Sequence, residues 1–149
     1  MWRASHNILP TKDNLKRKRV VIDDLCQFCY QEKETIFHAL WECPVSQDVL
    51  GASEQAIQKF RMVRLDFMGL IGELAEKLGR EDLFLFVVTA REIWQRRSKV
   101  LQGGVFFRPS MVTKFAVEAL RQFKQVSTQN PNQEDDEPVK NGDGVGCIW

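Results

Sequence analysis

Residues with metal-binding chemistry are concentrated in one short stretch of this 149-residue chain, LCQFCYQEKETIFHALWECP, residues 25–44. It contains three of the four cysteines and one of the two histidines, spaced as Cys26-x2-Cys29-x8-His38-x4-Cys43. Two cysteines separated by two residues can present two thiolates from one tight turn, which is how many structural zinc sites begin. Three thiolates and one imidazole fill all four positions of a tetrahedron, so the pattern predicts one structural Zn²⁺ and no catalytic metal.

The cysteine pair has two other interpretations. Buried cysteines behave as small apolar side chains, which is the simplest alternative. A thioredoxin-like redox pair is less consistent with the sequence, because that motif opens a helix after a strand in a βαβ unit, and the flanking VVIDDLCQFCYQEKET shows no such pattern. The presence of all four residues in one window favours zinc over both. Cys147 lies far away in the sequence, and we interpret it as a free thiol.

Short helices are predicted to position the four residues. The segment ETIFHALWEC is predicted to form one helix that starts near Glu34 or Thr35 and carries His38. Cys43 follows the end of this helix. Pro44 then suits the first turn of the next helix, PVSQDVLGASEQAIQKF.

Further helices are predicted on both sides of the cysteine block. Upstream, Pro10 closes the segment WRASHNIL because the residue before a proline avoids the α conformation, and Thr11 is a predicted N-cap for KDNLKRK. Downstream, apolar spacing predicts helices in LDFMGLIGELAEKLG, in EDLFLFVVTAREIWQRRSKVLQ, which ends at Gly103 and Gly104, and from Pro109 onwards. The last helix carries these apolar residues on one face: Val112, Phe115, Ala116, Ala119, Leu120 and Phe123. The predicted fold class is mainly α, with a small Cys3His zinc-organised helical subdomain followed by several amphipathic helices.

Composition separates the C-terminal part of the chain from the rest. Residues 127–149 are polar, acidic and contain Gly and Pro, so they are predicted to form a disordered tail. No apolar run reaches the roughly 18–20 residues that a membrane span needs, and the N-terminus lacks the apolar core of a signal peptide. We therefore expect an intracellular protein of the nucleus or cytoplasm with no membrane partner. In such a reducing compartment, close cysteines bind metals more often than they form disulfides.

Basic residues form two groups, although the formal net charge is only +1. The first group is a predicted phosphate-binding patch just before the cysteine block: Lys12, Lys16, Arg17, Lys18 and Arg19. The second group lies in a later helix: Arg91, Arg96, Arg97 and Lys99. Phosphate contacts give salt-sensitive binding without sequence preference, and the alternative is a solvated helix face. Three aromatic residues are candidates for stacking on bases, although core packing is the favoured role: Trp2, Phe28 and Trp41.

These motifs together resemble a known domain, the zinc-binding region of plant LINE-type (non-LTR) retrotransposon reverse transcriptases. The matching residues before the cysteines are Trp2, Arg3, Ala4, Leu9, Pro10, Thr11, Asn14, Leu15 and Arg17 or Arg19. Those in the CCHC block are Cys26, Cys29, Glu34, Thr35, His38, Ala39, Leu40 and Cys43. Downstream, REIWQRRSKVLQGG resembles the W-x-x-R-N/S-K helix of the linker that follows this region. The resemblance implies an N-terminally truncated zinc-binding domain over residues 1–60 and a helical linker region over 61–126.

Three functions are compatible with the residues and the resemblance. The first is a non-catalytic, retrotransposon-derived zinc-binding module that contacts RNA or DNA with low specificity through basic helices. The second is a zinc-stapled scaffold that binds a protein partner, and the third is a relic open reading frame without a selected function. An enzyme is not expected, because no nucleophile–base arrangement and no phosphate-cradling glycine loop is evident. The resemblance implies a fragment, since the sequence shows neither the polymerase aspartates nor the ribonuclease H carboxylates of the family's neighbouring domains.

Overall fold

The computed structural model describes residues 2–53 and 66–129, and these residues are mostly helical. In chain order the helices are α1 (Trp2–Ser5), α2 (Lys12–Arg17), a π-helical turn (His38–Glu42), α3 (Pro44–Gly51), α4 (Phe67–Lys77), α5 (Arg80–Leu101) and α6 (Pro109–Gln129). Strand-like pairing within the described residues is limited to one antiparallel bridge between Leu25 and Lys33. The predicted fold class, mainly α with a Cys3His cluster near the N-terminus, is confirmed.

A tight connection joins α1 to α2. Thr11 is extended, and its hydroxyl accepts a hydrogen bond from the backbone N–H of Asn14, so it caps α2 as predicted. The Asn14 side chain donates to the carbonyl oxygens of Asn7 and Leu9 at 2.8 and 2.9 Å. These bonds hold the connection against the first turns of α2.

Helix α3 is shorter in the structure than the predicted helix. The sequence indicated a helix from Pro44 to Phe60, whereas the described helix runs from Pro44 to Gly51. Glycine is a poor helix former, which is consistent with an end at this position. The rest of the predicted helix, including Ala56 and Phe60, lies outside the described residues.

A glycine pair ends α5 as predicted. Gly103 has φ +80°, and the N–H of Gly104 donates to the carbonyl oxygen of Lys99 at 2.8 Å. A residue in the left-handed conformation is a common way to end a helix, and glycine adopts it without the steric cost of a Cβ atom. Pro109 then opens α6, also as predicted.

Helix α6 buries only the centre of its predicted apolar face. Val112 and Ala116 are buried, whereas Phe115 and Phe123 are exposed over 41% and 55% of their surface. Both phenylalanine rings lie at the margin of the face, where each contacts one other ring. The helix continues to Gln129, past the predicted start of the tail, and the rest of the tail lies outside the described residues.

One hydrophobic core joins the cysteine block to the later helices. It includes Leu40 and Trp41 of the π-helical turn together with Phe86 and Ile93 of α5. The rings of Trp41 and Phe86 meet edge to face with their centroids 5.6 Å apart, a favourable geometry for aromatic pairs. Residues from both sides of the predicted domain boundary therefore share one buried cluster.

Candidate metal centre

Cys26 and Cys29 lie in a tight turn closed by the antiparallel bridge. The backbone N–H of Cys26 donates to the carbonyl oxygen of Glu32 at 2.8 Å. The N–H of Tyr30 donates to the carbonyl oxygen of Cys26 at 2.9 Å, and Tyr30 has φ +55°, in the left-handed region. This winding brings both cysteine sulfurs into one cluster, as the C-x2-C spacing predicts.

His38 and Cys43 are placed by a wide helical turn. The hydroxyl oxygen of Thr35 accepts a hydrogen bond from the N–H of His38 at 3.0 Å, so Thr35 caps this helix, which starts where the sequence predicted. The N–H of Cys43 donates to the carbonyl oxygen of His38 at 2.8 Å, a bond that spans five residues where an α-helix spans four. Such π-helical turns are rare and frequently mark functional sites. The five-residue spacing of the two ligands thus corresponds to one turn of this helix.

The four side chains meet in one cluster, with their ligand atoms all within 4.8 Å of one another. The sulfurs of Cys26 and Cys43 are 3.9 Å apart, and the Cys29 sulfur lies 3.4 Å from Nε2 of His38. Bonds of about 2.3 Å from zinc in a tetrahedron would separate two sulfurs by about 3.8 Å, so these distances suit zinc. Cys29 is partly buried and the other three residues are buried. The cluster therefore fits one structural Zn²⁺ held entirely by protein ligands.

The hydrogen bond between the two buried cysteines shifts their pKa values in opposite directions. The hydrogen bond with Cys43 lowers the pKa of the Cys26 thiol, burial opposes this shift, and a hydrogen bond with His38 adds to it. The hydrogen bond with Cys26 and burial both raise the pKa of the Cys43 thiol. Thiolate is the metal-binding form of cysteine, so zinc coordination requires that each of the bound cysteines release its proton.

The second ring nitrogen of His38 faces away from the cysteines. Nδ1 is buried and has no hydrogen-bond partner within residues 2–53 and 66–129. The Glu42 carboxylate lies 3.9 Å from it, too far for a hydrogen bond. Metal-bound histidines almost always donate their other N–H to a carboxylate, a carbonyl or water, and Glu42 is positioned close to that role.

Arg97 of α5 reaches the cluster from the later helices. The prediction that Arg96 and Arg97 belong to an exposed basic patch is wrong, because these residues are exposed over only 4% and 1% of their surface. Nη2 of Arg97 lies 3.0 Å from the sulfur of Cys26 and 3.3 Å from a carboxylate oxygen of Glu34. Its Cζ atom lies 4.2 Å from the centroid of the Phe28 ring.

The sequence contained a signal for this burial. Phe86, Ala90 and Ile93 are buried at spacings of four and three along α5, and Arg97 follows Ile93 by four. A cation on the apolar face of a helix requires a buried partner. That partner, Glu34, is 63 residues away in the chain, so the pattern could not identify it. Burial raises the pKa of Glu34, and the nearby Arg97 charge acts in the opposite direction.

The predicted phosphate-binding patch is partly paired with acids. Three ion pairs engage it: Lys12–Asp23 at 3.0 Å, Lys16–Asp24 at 3.1 Å and Arg17–Asp13 at 2.9 Å. Lys18 and Arg19 are exposed, and no ion pair in the described part of the chain engages them. The charge available to a nucleic acid is therefore smaller than the sequence indicated.

The predicted stacking residues differ in their accessibility. Trp41 is buried in the core, which confirms the packing role favoured for it. Phe28 is partly buried and lies against Phe106, with ring centroids 6.4 Å apart. The side chain of Trp2, like Cys147, lies outside what the structure describes.

The fold and the four-ligand cluster define a small helical zinc-binding module. Residues 1–49 match the family model described as zinc-binding in reverse transcriptase, and this match includes all four residues of the cluster. The matched model describes a zinc-binding domain and no polymerase. No curated protein and no solved structure matches the chain. Within the described residues, no helix is long and apolar enough to cross a membrane.

Proposed function

We propose that this chain is a non-catalytic scaffold stapled by zinc and derived from the reverse transcriptase of a LINE-type retrotransposon. The observation that carries the proposal is the closed Cys26, Cys29, His38, Cys43 cluster. Because four protein ligands complete a tetrahedron, no coordination position is open to a substrate or a reactive water. The match of residues 1–49 supports the retrotransposon origin.

Elemental analysis of the purified protein tests the metal assignment. We expect one zinc per chain in the wild type and none in the double variant Cys29→Ser, His38→Ala, because removal of two of four ligands leaves no tetrahedral site. Asp23→Asn is a suitable control, since it changes an exposed acid near the cluster that is not a ligand. Well-folded wild-type protein without zinc would overturn the proposal and leave a buried cysteine cluster.

A second candidate function, contact with RNA, is favoured by the exposed Lys18 and Arg19 at the C-terminal end of α2. Each phosphate contact to a single strand contributes about −0.7 to the slope of log K against log salt concentration. Two contacts predict weak binding with a slope of about −1.4, whereas contacts by all five patch residues would give about −3.5.

Fluorescence anisotropy with a labelled single-stranded RNA at several salt concentrations measures this slope. The double variant Lys18→Ala/Arg19→Ala should abolish binding of the RNA. The matched control, the double variant Lys12→Ala/Lys16→Ala, should change RNA binding little, because these two cations are paired with Asp23 and Asp24. Absence of salt-dependent binding by the wild type would eliminate RNA contact as a function of this chain.

A further inference from the structure

We infer that Arg97 is a positioning residue of the zinc centre, and that helix α5 completes a metal site whose ligands all lie within residues 1–49. Its guanidinium orients the Cys26 sulfur and offsets the negative charge of the coordinated thiolates. The inference rests on the proposed zinc site and extends it to a helix 71 residues away from Cys26 in the chain.

Three contacts hold the guanidinium in place. Nη2 donates to the Cys26 sulfur and to Glu34, and the plane of the group lies over the Phe28 ring. Phe28 is itself inside the C-x2-C turn, so Arg97 touches both a ligand and the loop that presents it. A guanidinium held by three contacts can fix the orientation of the Cys26 side chain, whereas a solvated arginine cannot.

The opposite charges of the Arg97 guanidinium and the zinc-bound thiolates favour the contact between Arg97 and Cys26. Zn²⁺ with three thiolates and one neutral imidazole carries a net charge of −1, and burying such a charge without a partner is costly. Arg97 supplies the opposite charge beside Cys26, and hydrogen bonds between ionised groups are stronger than those between neutral groups. Glu34 accepts from the same Nη2 atom, so the single positive charge of Arg97 is shared between the Cys26 sulfur and this carboxylate.

Two more donors of Arg97 are available at the site. Nε and Nη1 are buried and have no hydrogen-bond partner within the described residues. Buried donors are almost always paired in folded proteins, so unpaired ones call for an acceptor. Thiolate sulfur is an acceptor of the required charge, and the Arg97 guanidinium is in direct contact with one sulfur of the cluster.

Arg96 provides a matched control. It is the adjacent residue on the same helix and is buried, but its Nη1 donates to the carbonyl oxygen of Val45 at 3.2 Å, and its Cζ atom lies 3.7 Å from the centroid of the Phe106 ring. None of its contacts in the described chain involves a cysteine sulfur or His38. Loss of Arg96 therefore reports the general cost of removing a buried arginine from α5.

Cobalt(II) bound in place of zinc reports on the sulfurs directly. Three variants are compared with the wild type. The double variant Arg97→Met/Glu34→Gln removes the guanidinium without leaving an unpaired buried carboxylate. The other two are the single variants Arg97→Lys and, as the control, Arg96→Met. In the first variant we expect a shifted sulfur-to-cobalt charge-transfer band, faster alkylation by iodoacetamide, and zinc affinity lowered about 10- to 100-fold, as for other outer-shell partners of metal ligands. Arg97→Lys should recover part of each change, and Arg96→Met should leave the band and the alkylation rate unchanged.

The outcomes separate the two proposals. If the wild type binds neither cobalt nor zinc, the proposed zinc site fails. Suppose that the wild type binds one metal ion and that the double variant Arg97→Met/Glu34→Gln has the same band position, alkylation rate and zinc affinity. The inferred role of Arg97 would then be wrong, and the proposed zinc site would remain. If the double variant does not fold, Arg97→Lys decides the positioning role, because lysine keeps the charge but not the planar guanidinium; an unshifted band and wild-type alkylation in Arg97→Lys would overturn this role.

Discussion

Removal of zinc by a strong chelator should unfold the whole helical body and not only the residues around the cysteines. Structural zinc sites contribute on the order of 10 kcal/mol of apparent binding energy, a value comparable with the roughly 5–15 kcal/mol total stability of a domain. Since Trp41 of the π-helical turn packs on Phe86 of α5, the later helices lose their core when the cysteine block melts. From the sequence alone, zinc loss would be expected to spare the later helices.

Circular dichroism during thermal unfolding, with and without chelator, measures this effect. We expect one cooperative transition in the zinc-bound protein and loss of most helical signal at room temperature after chelation. Cys147→Ser, which alters a cysteine far from the cluster in sequence, should unfold like the wild type. Retention of α4 to α6 after chelation, seen as preserved helicity and protease resistance of residues 66–129, would show instead that the two parts fold independently.

Replacement of Phe86 by alanine should cost about 3–5 kcal/mol of unfolding free energy, the usual range for a buried phenylalanine. Phe86 has no exposed surface, and its ring contacts Trp41 edge to face. A loss of this size approaches the full stability of a marginal domain. Because the same contact supports the π-helical turn that carries His38, zinc affinity should fall as well.

Urea denaturation measures the stability change, and competition with a chromogenic chelator measures zinc affinity. Phe86→Leu, which keeps most of the apolar volume, should cost less than about 1.5 kcal/mol and leave zinc affinity close to that of the wild type. If Phe86→Ala lowered the unfolding free energy but left zinc affinity unchanged, the packing of α5 would not support the metal site. The shared core would then stabilise the fold without affecting zinc binding.

Local interactions explain why much of the site could be predicted from the sequence. The C-x2-C turn, the cap at Thr35 and the cap at Thr11 depend on neighbours within a few residues, so their spacing carries the information. Pro44 at the start of α3 and the glycine pair after α5 are local signals of the same kind. His38 and Cys43 are five residues apart, a spacing that does not fit an α-helix, and the structure spans it with the π-helical turn.

The amino-acid sequence alone predicts the four clustered residues, their zinc chemistry and a mainly helical fold. The burial of Arg97 against Cys26 and Glu34 is visible only in the folded protein, as are the ion pairs of the basic residues of α2. These contacts join residues that are separated along the chain. Helical period and capping are encoded within one or two turns, whereas the partner of a charge is set by which surfaces the folded core brings together.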